Sequence, residues 1–287
     1  MKNFLAGLFF AMLWASASAA TKIGLLSAQP FVIGTCRFFL AGILMMVYSH
    51  LVKKNPLPNA KEWKQIAIYG FLNVTVYLGC FVVALKYVSA GIGSLAVATN
   101  PLIISILSAF WLGRSVKRTE ILGLALGILG VAIATYPLFQ QSYANVEGLL
   151  ILSASMIAYS VGTVYYSSQE WHLPLFTINA WQVLLGGFFL LPVTYFFTDW
   201  SKNVYDVNFS ISVLWLAIPV SIGAVQLWLY LLKIDPVKAS LWLFLNPIFG
   251  FIYAAVILNE PISTFTYIGT SFVIAGLYLA QREKLNS

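Results

Sequence analysis

Runs of about twenty apolar residues, interrupted only by short polar breaks, recur along the whole chain. A helix needs about 20 such residues to cross about 30 Å of hydrocarbon. Breaks at charges, Pro and Gly place the spans at about 4–26, 31–52, 65–86, 90–112, 119–138, 147–168, 175–197, 211–231, 239–258 and 262–281. Charged residues are only 9% of the 287 residues, against roughly 25% in a soluble domain. A water-facing surface cannot be built from so few, and the loops leave no room for a soluble domain. A transmembrane β-barrel would alternate polar and apolar residues along each strand; these runs are apolar on all sides. The expected fold class is therefore an all-α membrane protein with ten transmembrane helices.

The net charge of +7 does not point to nucleic acid, because the basic residues are dispersed over separate short loops. Their distribution instead sets orientation, since basic loops stay cytoplasmic. With the N-terminus inside, Lys2, Lys53, Lys54, Lys61, Lys64, Arg114, Lys117, Arg118, Lys233, Lys238, Arg282 and Lys284 are cytoplasmic, and only Lys22, Lys86 and Lys202 are outside. Both termini are expected in the cytoplasm and the protein in the cell (inner) membrane. The first run ends near Ala17-Ser18-Ala19, which looks like a signal-peptide cleavage site. It is read as a retained span, because it has a counterpart in the second half of the chain.

That counterpart belongs to an internal repeat. At an offset of 146, Asn100-Pro101 falls on Asn246-Pro247, Ser94 on Ser240, Gly123 on Gly269 and Gly130 on Gly276. At an offset of 145, Trp14 falls on Tyr159, Phe31 on Phe176, Leu40 on Leu185 and Gly42 on Gly187. The expected domains are residues 1–140 and 141–287, each of five spans. Five is odd, so the second copy inserts upside down. Loop charges agree: Arg114, Lys117 and Arg118 follow the fourth span, while Glu260 follows the ninth. Inverted repeats with a site at their interface are a recurrent plan of secondary transporters.

Each repeat carries a Pro-containing segment, VSAGIGSLAVATNPLIISILSAFWLG or DPVKASLWLFLNPIFGFIYAAVILNEPIS, followed by a Gly-rich span, GLALGILGVAIA or GTSFVIAGLYLA. In order and doubling, these segments resemble the EamA-type family of the drug/metabolite transporter superfamily over essentially the whole chain. The resemblance implies transport of amino acids or related metabolites, often outward. That family commonly has a Glu after the Pro-containing span; Glu260 matches it, and Arg114 stands at the first-repeat position.

Polar and kinked positions inside the spans are the candidate substrate-binding set. Pro101 and Pro247 each remove a backbone donor in mid-span, which lipid tolerates only where protein or a water-filled cavity satisfies the freed carbonyls. They predict bent helices beside the cavity, with Asn100 and Asn246 supplying amides; an ordinary packing kink is the competing reading. Arg37 is the one charge well inside a span, and insertion scales put the penalty at about 2.5–3.5 kcal/mol. It lies roughly 9 Å from the outer end of its span, so two readings stand: a side chain snorkelling to the interface, or one facing the cavity and binding a carboxylate. Its repeat counterpart is Gln182. Trp14, Tyr77, Tyr159, Trp181, Gln226 and Tyr230 complete the set, as cation–π or apolar contacts or, alternatively, as packing and interfacial-belt residues. Gly123 and Gly127, with Gly269 and Gly276, are read as close helix packing or a dimer contact.

No metal or other cofactor is expected: Cys36 and Cys80 lack ligand spacing, and no Gly-x-x-x-x-Gly-Lys-Ser/Thr loop is present for ATP. No Asp or Glu lies mid-span, which predicts facilitated transport or exchange rather than ion coupling. A membrane-embedded enzyme lacks a mid-span catalytic set. The expectation is a non-enzymatic secondary transporter, an exporter of amino acids or related small polar metabolites, with the lipid bilayer and a small-molecule substrate as partners and a monomer or homodimer as the assembly. The alternatives are a carrier for a larger drug-like or nucleotide-linked metabolite, or a channel. The topology is directly testable. A membrane-impermeant maleimide applied to intact cells is expected to label Glu260→Cys and spare Arg118→Cys; labelling of both from outside contradicts the inverted arrangement.

Overall fold

The computed structural model describes residues 2–111, 118–140, 144–234, 239 and 242–282. Among the described residues the principal helical segments are α1 (Lys2–Gly24), α2 (Pro30–Val52), α3 (Ala60–Tyr87), α4 (Ala90–Trp111), α5 (Arg118–Gln140), α6 (Val146–Ser168), α7 (Leu175–Phe197), α8 (Val207–Lys233), α9 (Trp242–Leu258) and α10 (Thr264–Arg282). No strand occurs among the described residues; a single bridge joins Val88 to Ala144. Among the described residues, seven helices are long and apolar enough to cross a bilayer. The apolar parts of the others are shorter, Ile121–Ala134 in α5, Trp242–Leu258 in α9 and Thr264–Gly276 in α10. The chain is thus a multi-pass helical membrane protein. Arg114, Lys117, Lys238, Ser240 and Lys284, used above for loop charge and repeat alignment, lie outside the described residues.

Short-range chemistry sets the helix starts. Asn59 and Glu62 form a capping box on α3, Asn145 caps α6, and Asp206 caps α8 through the Phe209 N–H at 3.0 Å. Pro30 occupies the first turn of α2, where its missing N–H is not needed. Outward faces carry bare apolar side chains, among them Phe188, Phe196, Leu214, Ile252 and Val256. In water such a surface would aggregate; against lipid it is the matched solvent.

The prolines act differently from the bend expected above. In α4 the helix stops at Val97, turns through Ala98 and Thr99, and restarts at Asn100. In α9 a 3-10 stretch, Trp242–Leu245, precedes a helix that starts at Asn246. Pro101 and Pro247 therefore sit in the first turn of a new helix, where proline is tolerated without a lost bond. The physical difference is that a turn absorbs the missing donor, whereas a kinked helix would leave a carbonyl orphaned.

The third helix of each half carries a second irregularity. The i→i+5 stretches Phe71–Val76 in α3 and Leu216–Ala224 in α8 begin at positions 145 apart, the repeat offset. Pro219 lies in the second of them. Such wide turns are uncommon and often occur at functional sites.

Packing reflects the repeat. Helix α2 lies on α7, α4 on α9 and α5 on α10; α1 lies on α8 and α9, while α6 lies on α3 and α4. Exchanging every helix for the one five places along reproduces this set. The glycines make the closest approaches. A Cβ on Gly130 or Gly269 would collide with the other's backbone carbonyl, and one on Gly276 would meet the carbonyl of Gly123. The small-residue pattern thus closes α5 onto α10 within one chain. Gly269→Leu is expected to destabilise the purified protein by at least about 1–3 kcal/mol through overpacking, read as a lowered thermal midpoint in detergent; an unchanged midpoint contradicts this contact.

Candidate functional site

Where the two halves meet, six helices enclose a small hollow. Trp14, Ala17 and Ser18 come from α1, Arg37 from α2, Tyr77, Leu78 and Phe81 from α3, Val97 from α4, Val220 from α8 and Asn246 from α9. Its free interior is about 10 Å³, room for roughly one water molecule.

Arg37 dominates the chemistry here. It is 2% exposed, so the snorkelling reading is set aside and the side chain points inward. Its Nε–H donates to Ser221 Oγ at 2.8 Å, its guanidinium stands 5.4 Å from the Phe38 ring, and its Nη2 is buried without a partner. Asn246, from the broken helix α9, leaves its Oδ1 acceptor buried and unpartnered at the same hollow. An unmatched buried polar atom costs about 1–3 kcal/mol. A donor and an acceptor left open toward one hollow form a complementary pair of empty valences.

Aromatic rings form one wall. Trp14 stacks on Tyr77 with centroids 6.5 Å apart, and Tyr159 lies 4.7 Å from Tyr77 and 6.2 Å from Trp14. Trp228, buried beside Tyr159 at 6.1 Å, leaves its indole N–H unpartnered. Trp14, Tyr77 and Tyr159 are thus brought together with Arg37 and Asn246. The other sequence candidates lie elsewhere. Asn100, at the break in α4, accepts from Ser160 Oγ at 3.3 Å and leaves its Nδ2 unpartnered. Trp181 stands near the start of α7, where its N–H donates to His50 Nε2 at 3.1 Å and its ring packs edge-on against Trp63. Because Trp181 donates, His50 Nε2 accepts and its Nδ1 donates to the Asn55 carbonyl. Gln226 is half-buried with an unpartnered Oε1, and Tyr230 donates to Asn3; neither lines the hollow.

Gln182 has a different place. Asn73 Nδ2 donates to Gln182 Oε1 at 3.1 Å, Gln182 Nε2 to Asn179 Oδ1 at 3.0 Å, and Asn179 Nδ2 to the Ser221 carbonyl at 3.0 Å. Ser221 in turn accepts from Arg37. The repeat-related pair, Arg37 and Gln182, therefore stands on one buried polar chain joining α3, α7, α8 and α2. Asn73 and Ser221 enter it from the two matched wide-turn stretches. Sequence reasoning passed over Asn73, Asn179 and Ser221. The signal existed for the two amides, since each interrupts an apolar run as Asn100 does.

Helices α4 and α9 also cross closely. A Cβ on Gly250 would collide with Ser94, whose hydroxyl donates to Ser18 Oγ at 3.0 Å. Glu260, after α9, accepts the Ala90 and Gly91 N–H groups at 2.8 and 3.1 Å. A carboxylate is the favoured group at a helix N-terminus, and an arginine, the residue at the matched position 114, cannot accept such bonds. The repeats are thus unequal where the sequence makes them so.

Comparison with known proteins agrees with this architecture. Residues 1–136 and 146–281 each match the model of the EamA-like transporter family. Over 96% of its length the chain is 23% identical to the uncharacterized transporter YvbV of Bacillus subtilis, covering 90% of that protein. It is 26% identical to an uncharacterized transporter of Archaeoglobus fulgidus, with 94% and 95% of the two chains covered. Protein PecM of Dickeya dadantii is 24% identical over 96% of this chain and 90% of its own. A solved crystal structure, 18% identical, superimposes over 100% of this chain and 99% of its own with a TM-score of 0.69, a likeness of fold. The doubled match, covering both halves of the helical bundle, makes this chain a member of the EamA-like transporter family.

Proposed function

We propose that the protein is a secondary transporter, working outward, for amino acids or related small carboxylate-bearing metabolites. The reading includes ten spans, two inverted five-helix repeats and both termini in the cytoplasm. The observation that carries it is the pairing of Arg37 Nη2 and Asn246 Oδ1, unmatched and buried at one hollow. A substrate carboxylate would satisfy the guanidinium and its ammonium or hydroxyl would satisfy the amide oxygen. The remainder of the molecule would lie against Trp14 and Tyr77. Charge-assisted bonds of this kind contribute about 1.5–3 kcal/mol each, enough to favour binding and weak enough to permit release.

The hollow is too small for such a substrate unless the surrounding helices separate. In alternating access one repeat rocks against the other around the bound substrate. The exchange-symmetric packing of the helices supports this motion, because each half presents the same surfaces to the other. The broken helices α4 and α9 cross at the interface and supply natural hinges. With no carboxylate beside Arg37 among the described residues, the substrate itself neutralises the buried charge, which favours exchange or facilitated flow over ion coupling.

The test is a metabolite-export screen in cells overproducing the chain. Wild type is expected to raise export of at least one amino acid or related carboxylate. Arg37→Ala is expected to cut that rate at least about tenfold, Asn246→Ala by a smaller factor, and Trp181→Ala, remote from the hollow, by less than twofold. Full-rate export by both Arg37→Ala and Asn246→Ala would dismiss the site; no exported compound would dismiss the reading.

A further inference from the structure

A second cavity, separate from the hollow, opens at the end of the bundle where α6 ends and α7 begins. Its empty volume is about 790 Å³, including the space open to solvent, and Tyr166, Gln169, Trp171 and Lys233 are among its lining residues. This is the end marked by the basic loops: the Gln65 amide, next to Lys64, donates to Gln169 Oε1 at 3.0 Å. The cavity combines a flat aromatic platform with a cation. Tyr166 and Trp171 stack with centroids 5.1 Å apart at 24°, and the indole N–H is already spent on the Tyr166 carbonyl at 2.9 Å, which fixes the ring. Lys233, at the end of α8, is exposed. Gln65 leaves its Oε1 buried and unpartnered behind Gln169.

A stripe of tyrosines leads from this cavity to the hollow. Tyr166 meets Tyr69 at 5.0 Å. Tyr69 and Tyr77 both stand on α3, eight residues apart. Tyr77 and Tyr159 meet at 4.7 Å, and Tyr77 lines the hollow. On α6, Tyr159 and Tyr166 are seven residues apart, so the stripe spans about two turns, roughly 10 Å. Toward Glu260, Gly91 packs on Phe251 and Gly250 on Ser94.

We infer that this cavity is a second binding site, an antechamber on the cytoplasmic face, for a planar or aromatic carboxylate: the carboxylate on Lys233, the ring or planar group on Trp171, which Tyr166 backs. The inference rests on the transporter reading for its purpose, since the tyrosine stripe then forms the route from antechamber to hollow. The site itself is defined independently of Arg37. The fixed indole favours flat ligands, because a stacked face offers contact without a conformational penalty. Lys233 supplies a mobile point charge rather than a rigid fork, as a transient docking position requires.

The probe is 4-fluorobenzoate, titrated into purified full-length protein and followed by fluorine NMR. Wild type is expected to show saturable binding. Lys233→Gln and Trp171→Ala should each weaken it about five- to tenfold, Lys233→Arg should restore it to within twofold, and Phe196→Ala, on the outward apolar face, should leave it within twofold. Binding unaffected by both Lys233→Gln and Trp171→Ala, or lost equally in Phe196→Ala, overturns the antechamber, as does the absence of saturable binding. If Lys233 instead serves lipid head groups, replacing phosphatidylcholine with phosphatidylglycerol in nanodiscs abolishes probe binding, which also overturns it. In transport, Lys233→Gln should raise KM for movement out of the cytoplasm with kcat unchanged. Failure of the export screen together with intact Lys233-dependent binding would reject the transporter reading and leave the site standing.

Discussion

A guanidinium held out of water with one nitrogen unmatched is the constraint around which the bundle is arranged. Burying Arg37 at mid-span carries a penalty of about 2.5–3.5 kcal/mol on insertion scales. Its bond to Ser221 returns about 1.5–3 kcal/mol, so the two nearly offset while Nη2 stays open. That balance forces α2 to face the interior and α8 to present Ser221 toward it. The wide-turn stretch Leu216–Ala224, containing Pro219, changes the register of α8 where Ser221 must point. Asn179, Gln182 and Asn73 then continue the buried chain into α7 and α3, so that elements of both halves depend on one charged residue.

The two halves share an architecture and differ in chemistry. Both start a helix at Asn-Pro, both widen the third helix at the same repeat position, and the packing of one maps onto the other. Yet Asn246 faces the hollow with its acceptor free, while Asn100 engages Ser160. Arg37 carries a charge where Gln182 carries an amide. Glu260 pins the start of α4 from the one side on which an acid stands. The halves thus match in fold and differ in the polar residues they bring to the hollow. Family membership follows from the match of both halves to one family model.

Much of this was legible before any coordinates. Apolar run length indicated the helical membrane class, Asn100-Pro101 and Asn246-Pro247 marked the helix breaks, and Trp14, Arg37, Tyr77, Tyr159 and Asn246 do converge. The misplacements share one physical cause. In water, the face of a helix that turns inward is read from its apolar stripe. In lipid, inward and outward faces are both apolar, so Trp181, Gln182 and Gln226 gave no sign of which way they point. Trp181 sits beside His50 and Trp63, and Gln182 serves Asn179 and Asn73. Nor does composition distinguish a kink from a turn and restart, because proline suits both; the neighbouring Ala98 and Thr99 decide it through short-range bonds to Leu95 and Ala96.

The most direct measurement is the carboxylate preference of the central hollow. Binding of an exported amino acid and of its amide would be compared calorimetrically on wild type and Arg37→Gln. If the open guanidinium nitrogen receives the carboxylate, wild type favours the acid by at least about tenfold, and Arg37→Gln binds the two alike. An acid preference that survives in Arg37→Gln would contradict the account at its centre.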